Sequence, residues 1–121
     1  MATRTMVDFS MVSGEYKRLE VAVKTKSGGP QSLAGVTNII WSIGQTVNGP
    51  CIVEKQIGDG VAVLNADPWP SSFEVIILED DISASQDACY RHQCWLVIDG
   101  HKKSLWSDGR AYVTASVACA A

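Results

Sequence analysis

Apolar residues recur at every second position in segment after segment of this chain, and short glycine-containing stretches separate those segments. Side chains on a strand point alternately to opposite faces, so this period of two predicts strands with one buried face. Tyr16–Lys24 places Leu19, Val21 and Val23 on one face and Arg18, Glu20 and Lys24 on the other. Thr37–Gly44 aligns Ile39, Trp41 and Ile43, and Ser71–Leu78 aligns Phe73, Val75 and Ile77. Cys51–Gln56 and Val61–Asn65 read as shorter strands, Cys89–Ile98 as the longest, and Arg110–Ala118 as the last. Val7–Val12 reads as a first strand or an ordered arm.

The stretches between them carry turn chemistry. "SGGP", "NGP", "GDG" and "DPWP", with Asp99-Gly100 and Asp108-Gly109, all predict reversals. A single helical turn is expected within Glu79–Asp87, where acidic residues precede the long strand. The expected fold class is therefore all-β: an antiparallel β-sandwich of about seven to eight strands, immunoglobulin-like in architecture, with a small barrel as the alternative. The antibody order of Cys, Trp, Cys is missing, because Trp41 precedes the first cysteine, Cys51. Residues 1–7 are read as an N-terminal arm and 8–118 as one domain.

Composition limits function. The chain has 121 residues, 46% hydrophobic and 19% charged, with net charge −3. That suits one folded core and offers no basic patch for a phosphate backbone, so nucleic acid is not an expected partner. No stretch approaches the roughly 20 apolar residues of a membrane span, and "MATRTMVDFS" lacks the apolar core of a signal peptide. A cytoplasmic origin and free, buried thiols are expected.

"CYRHQCWLVIDGH" (Cys89–His101) concentrates thiol and imidazole groups and invites a metal reading. Parity opposes it. Cys89 and Cys94 are five apart and diverge, so only His92 and Cys94 share an inward face with Tyr90, Leu96 and Ile98. Two ligands do not make a tetrahedral site, so neither metal nor cofactor is expected. "GDGVAV" leads into a strand pattern rather than the helix a phosphate loop requires. Glu79-Asp80-Asp81 with Asp87 lacks the spacing of a calcium loop and reads as a solvated connection. No catalytic motif is present, and no catalytic residue is assigned.

The candidate interface is aromatic. Trp69, stiffened by Pro68 and Pro70, is either a partner anchor or a lid over one end of the fold. Trp95 stands opposite Leu96 and is expected partly exposed on the sheet exterior.

With the strands placed, Asp8–Lys24, Ser32–Ile43 (with Leu33, Gly35 and Trp41 in place), Val53–Asn65 and Cys89–Thr114 resemble, in that order, the segments of one family. It is the immunoglobulin-like domain of phage baseplate upper proteins and of related stand-alone tailed-phage structural proteins. The resemblance runs over residues 7–117. Val36 stands where a small alanine is usual, and "DPWP" replaces the usual approach to the Phe73 strand. The resemblance implies a virion structural component in the tail, baseplate, neck or capsid surface. It would be made in the bacterial host cytoplasm and dock in several copies on other virion proteins, with no enzymatic activity. The alternative expectation is a carbohydrate- or ligand-binding sandwich that uses Trp69 and Trp95 as stacking platforms.

Overall fold

The computed structural model describes residues 2–3, 8–25, 31–46, 49–64, 70–82 and 86–115. The described residues are all-β, with no helix. The strands are β1 (Ala2–Thr3), β2 (Phe9–Val12), β3 (Lys17–Ala22), β4 (Lys24–Thr25), β5 (Val36–Gly44), β6 (Cys51–Ile57), β7 (Gly60–Leu64), β8 (Ser72–Ile77), β9 (Ala88–Ile98) and β10 (His101–Thr114).

Eight of them form one sheet in the order β2-β10-β9-β5-β6-β7-β8-β3, and it curls until it is nearly barrel-shaped. Its two terminal strands, β2 and β3, face each other across a cavity of about 210 Å³. β1 pairs antiparallel with β4, continuing the path of β3. The pairing is antiparallel except at two places: β2 runs parallel to β10, and β7 runs parallel to β6 over two residue pairs. The second exception is a corner. Gln56 and Asp59 exchange backbone hydrogen bonds, and Gly58 and Gly60 supply the positive φ angles (87° and 96°) that the corner needs.

Alternation builds the core. Ile39, Trp41 and Ile43 of β5, Phe73, Val75 and Ile77 of β8, and Tyr90, His92, Cys94 and Leu96 of β9 all point inward and are buried. A Trp side chain buries some 150–250 Å², so Trp41 and Trp106 each contribute about 4–6 kcal/mol of transfer free energy.

Of Glu79–Asp87, where the sequence predicts a helical turn, residues 83–85 lie outside the described residues; Glu79–Asp81 is a turn in which Asp81 Oδ2 accepts the Leu78 N–H at 2.7 Å and the Asp81 N–H bonds the Leu78 carbonyl. One expected reversal is overturned. Asp108-Gly109 is not a reversal. It lies inside β10, which runs unbroken from the true reversal at Asp99-Gly100, where both φ values are positive (53° and 78°), as a two-residue hairpin turn requires. β10 absorbs extra residues as two bulges against β9, between Ser104 and Trp106 and between Trp106 and Gly109.

Candidate functional site

The most specific chemistry in the described residues is centred on His92. Strand parity sends it inward from β9, and register decides what surrounds it. On one side β5 places Ile43 opposite His92 and Trp41 opposite Cys94. On the other, β10 places Gly109 opposite His92 and Trp106 opposite Cys94. Two tryptophans therefore flank the small Cys94, one from each neighbouring strand, and both lean diagonally towards the imidazole. The bulges make this possible. The first buries both Leu105 and Trp106, and the second brings Gly109 rather than Asp108 across from the ring.

Trp41 Nε1 and Trp106 Nε1 each donate a hydrogen bond to His92 Nδ1, both at 3.1 Å. Indole nitrogen can only donate, so Nδ1 must be unprotonated and the ring proton sits on Nε2. The ring packs edge-on to Trp106, with centroids 5.6 Å apart, and tilted against Trp41 (5.8 Å) and Phe9 of β2 (5.2 Å). Gly109 completes the fit. A Cβ there would lie 2.5 Å from His92 Cε1 and Nε2, so only glycine leaves room for the ring.

A second polar pair is set into the same interior. Lys55 faces inward from β6, its stem passing under Gly60, and its Nζ lies 2.7 Å from Asp81 Oδ2. Burial raises the Asp81 pKa, but the Lys55 hydrogen bond, the Leu78 N–H and the Lys55 charge outweigh it and leave the carboxyl below its ordinary value. Asp81 is thus half of a largely buried ion pair, not part of a solvated connection. At Cys94, burial pushes the thiol well above its ordinary range, so it stays a neutral, unreactive packing group.

Cys94 is buried and Cys89 exposed, as parity requires. Cys51 is also exposed, and Cys119 lies outside the described residues. Among the described residues no three His, Cys, Asp or Glu groups converge to hold a metal. His101 lies on the exposed start of β10.

Of the aromatic interface residues, Trp69 and Pro68 lie outside the described residues. Pro70 is half-buried, and its carbonyl accepts the Leu33 N–H at 2.8 Å. Trp95 is half-buried on the outer face of β9, between Ile40 and Ser104 in register. Pro70 lies just before β8 and Trp95 on β9, two strands that are not paired with each other.

Besides the terminal strands β2 and β3, β6 also has an open backbone edge among the described strands. Beyond its two pairings with β7, no described strand covers its outer side, and the strand exposes Ile52 (47%) and Ile57 (38%). An edge of this kind presents unpaired N–H and C=O groups beside apolar side chains.

No protein-family model and no curated protein sequence matches the chain.

Proposed function

We propose that the protein is an immunoglobulin-like structural module of a tailed-phage virion, acting by docking on other virion proteins. The observation that carries a docking role is the β6 edge. The five residues of β6 before its pairing with β7, Cys51–Lys55, are open on one side among the described strands and carry exposed Ile52, which suits an added strand from a neighbouring protein.

The strand order supports the immunoglobulin-like reading. The corner at Gly58–Gly60 divides the sheet into β2-β10-β9-β5-β6 and β7-β8-β3, with β1 pairing beside β3 through β4. In this reading the two groups correspond to the ABED and C′CFG sheets of an immunoglobulin domain, with β2 as a split first strand beside the last. In the same reading β5 takes the place of strand C, where such domains bury a tryptophan against the disulfide that pins the two sheets, and Trp41 would be that tryptophan. With β9 read as strand F, His92, two residues after buried Tyr90, would take the position of the strand F cysteine.

The virion assignment rests on the ordered resemblance of Asp8–Thr114 to the phage domain. Purified particles of the phage that encodes this chain test it. The protein should sediment with them in fixed stoichiometry, and Ile52→Lys should deplete it without unfolding it. Its absence from purified particles refutes the assignment. Retention of Ile52→Lys at the wild-type level refutes the use of the β6 edge.

A further inference from the structure

We infer that His92 is a proton-operated latch that holds β2 on the sheet and releases it in acid. The inference is independent of the virion reading and rests on what Nδ1 does. It accepts two indole N–H groups at once, at 3.1 Å each. A proton on Nδ1 turns that acceptor into a donor facing two donors, and both bonds are lost together. The folded arrangement therefore excludes the imidazolium, and the ring takes up a proton only where the arrangement opens.

The place where it opens is set by what rests on the ring. Trp41, Trp106 and Gly109 belong to β5 and β10, which are interior strands of the sheet. Phe9 belongs to β2, a four-residue terminal strand whose one partner among the described strands is β10. The cavity of about 210 Å³ between β2 and β3 already reaches His92, Trp106 and Phe9. Displacing β2 takes Phe9 off the ring, extends that cavity to solvent at the imidazole and gives the ring room to swing out of both indole hydrogen bonds, while the interior strands stay paired.

The charged groups around the ring do not replace the latch. On the β2 and β3 side, Asp8, Arg18 and Glu20 stand at the cavity mouth. Asp8 accepts the Arg110 N–H, and Arg18 pairs with Glu20 and Glu74. On the β9 and β10 side, Arg91 is paired with Asp108. From β9 itself, Cys94 contributes a neutral thiol and Tyr90 a buried phenol, and the β5 face contributes Trp41 and Ile43.

The sign follows from linkage. The closed form carries neutral His92, and the open form carries an imidazole of ordinary pKa, about 6.5. Closure is fully favoured above that value and weakens as pH falls below it. With one proton taken up on opening, the open population rises about 25-fold between pH 7 and pH 5.

Hydrogen exchange, corrected for the intrinsic pH dependence of amide exchange, tests this at pH 7 and pH 5. The informative amides are those of β2 and of Ser13, whose N–H bonds the Thr114 carbonyl at 2.8 Å. Their protection should fall about 25-fold in the wild type while β5 and β9 stay protected. His92→Gln, which offers an acceptor oxygen and does not titrate, should abolish the pH dependence; His101→Gln should retain it. If His92→Gln does not fold, nitrogen NMR of the wild-type histidines replaces it: Nδ1 of His92 should be unprotonated at pH 7 and gain a proton in step with the loss of β2 protection. The latch is overturned by unchanged β2 protection at pH 5, by equal loss of protection in every strand, by a His92→Gln variant that keeps the pH dependence, or by a proton on Nδ1 at pH 7.

Discussion

Gly109→Ala tests the packing around His92 most directly. The added Cβ would sit 2.5 Å from two ring atoms, whereas non-bonded carbons settle about 3.5–4.0 Å apart. The ring has to retreat by about 1 Å, and it has nowhere unstrained to go. Two 3.1 Å hydrogen bonds fix Nδ1, and Phe9 lies against the ring. Overpacking of this kind costs about 1–3 kcal/mol, and losing one indole hydrogen bond adds about 1 kcal/mol. The expected destabilisation is about 2–4 kcal/mol. For a chain of this length each kcal/mol moves Tm by roughly 3–6 °C, so Tm should fall by roughly 6–24 °C. Urea titration should show a lower midpoint at unchanged slope. Gly35→Ala is the matched control. It has nothing within 4 Å of the new methyl and no positive φ, so it should stay within about 0.5 kcal/mol of wild type. The clash is specific to one partner, so Gly109→Ala should cost much less in a His92→Ala background. If Gly109→Ala proves as harmless as Gly35→Ala, or if its cost is undiminished without the imidazole, the clamped ring is not what requires glycine there.

Two further predictions concern the other buried groups. The depressed pKa of Asp81 stabilises the fold at every pH above the ordinary carboxyl value of about 3.9, and that contribution is lost as pH falls through the folded pKa. Asp81→Asn should therefore cost about 2–3 kcal/mol at pH 7, with the gap to wild type closing below about pH 4 in chemical denaturation; a gap that persists into acid would refute the ion pair as its source. In native protein, peptide mapping after alkylation should show Cys51 and Cys89 modified within minutes and Cys94 only after unfolding; rapid native labelling of Cys94 would show that the interior opens more readily than its burial implies.

Much of the fold was legible because the strands are half-buried and their alternation survives in the sequence. β3, β5, β8 and β9 lie within a residue or two of the periodic segments, and Ile39, Trp41, Ile43, Phe73, Val75 and Ile77 are all inward. What misled was punctuation. Asp108-Gly109 has the composition of a hairpin turn, and the first half of β10, His101–Ser107, lacks clean alternation because two bulges shift its parity. Propensity cannot distinguish a glycine needed for positive φ, as at Gly100, from one needed to clear a neighbouring ring, as at Gly109. The parallel placement of β2 was hidden for a related reason. A four-residue strand alternates in the same way whichever direction its partner runs.

The candidate site was half-legible on the same grounds. Parity placed His92 beside Cys94 on the inner face and ruled out convergence of the nearby thiols, but it could not say what the imidazole meets. That depends on register between strands far apart in sequence: 51 residues separate His92 from Trp41, and 14 separate it from Trp106. Register across β10 also depends on the bulges the sequence concealed. Donors on Nδ1 make the arrangement conditional on protonation state, which a hydrophobic pin or a disulfide in the same place would not be, and two indoles on that nitrogen double what a proton there breaks. The same core positions that Cys94 and the tryptophans fill by packing thus leave one interior contact open to control by pH. That contact lies under Phe9 of β2, a four-residue terminal strand of the sheet.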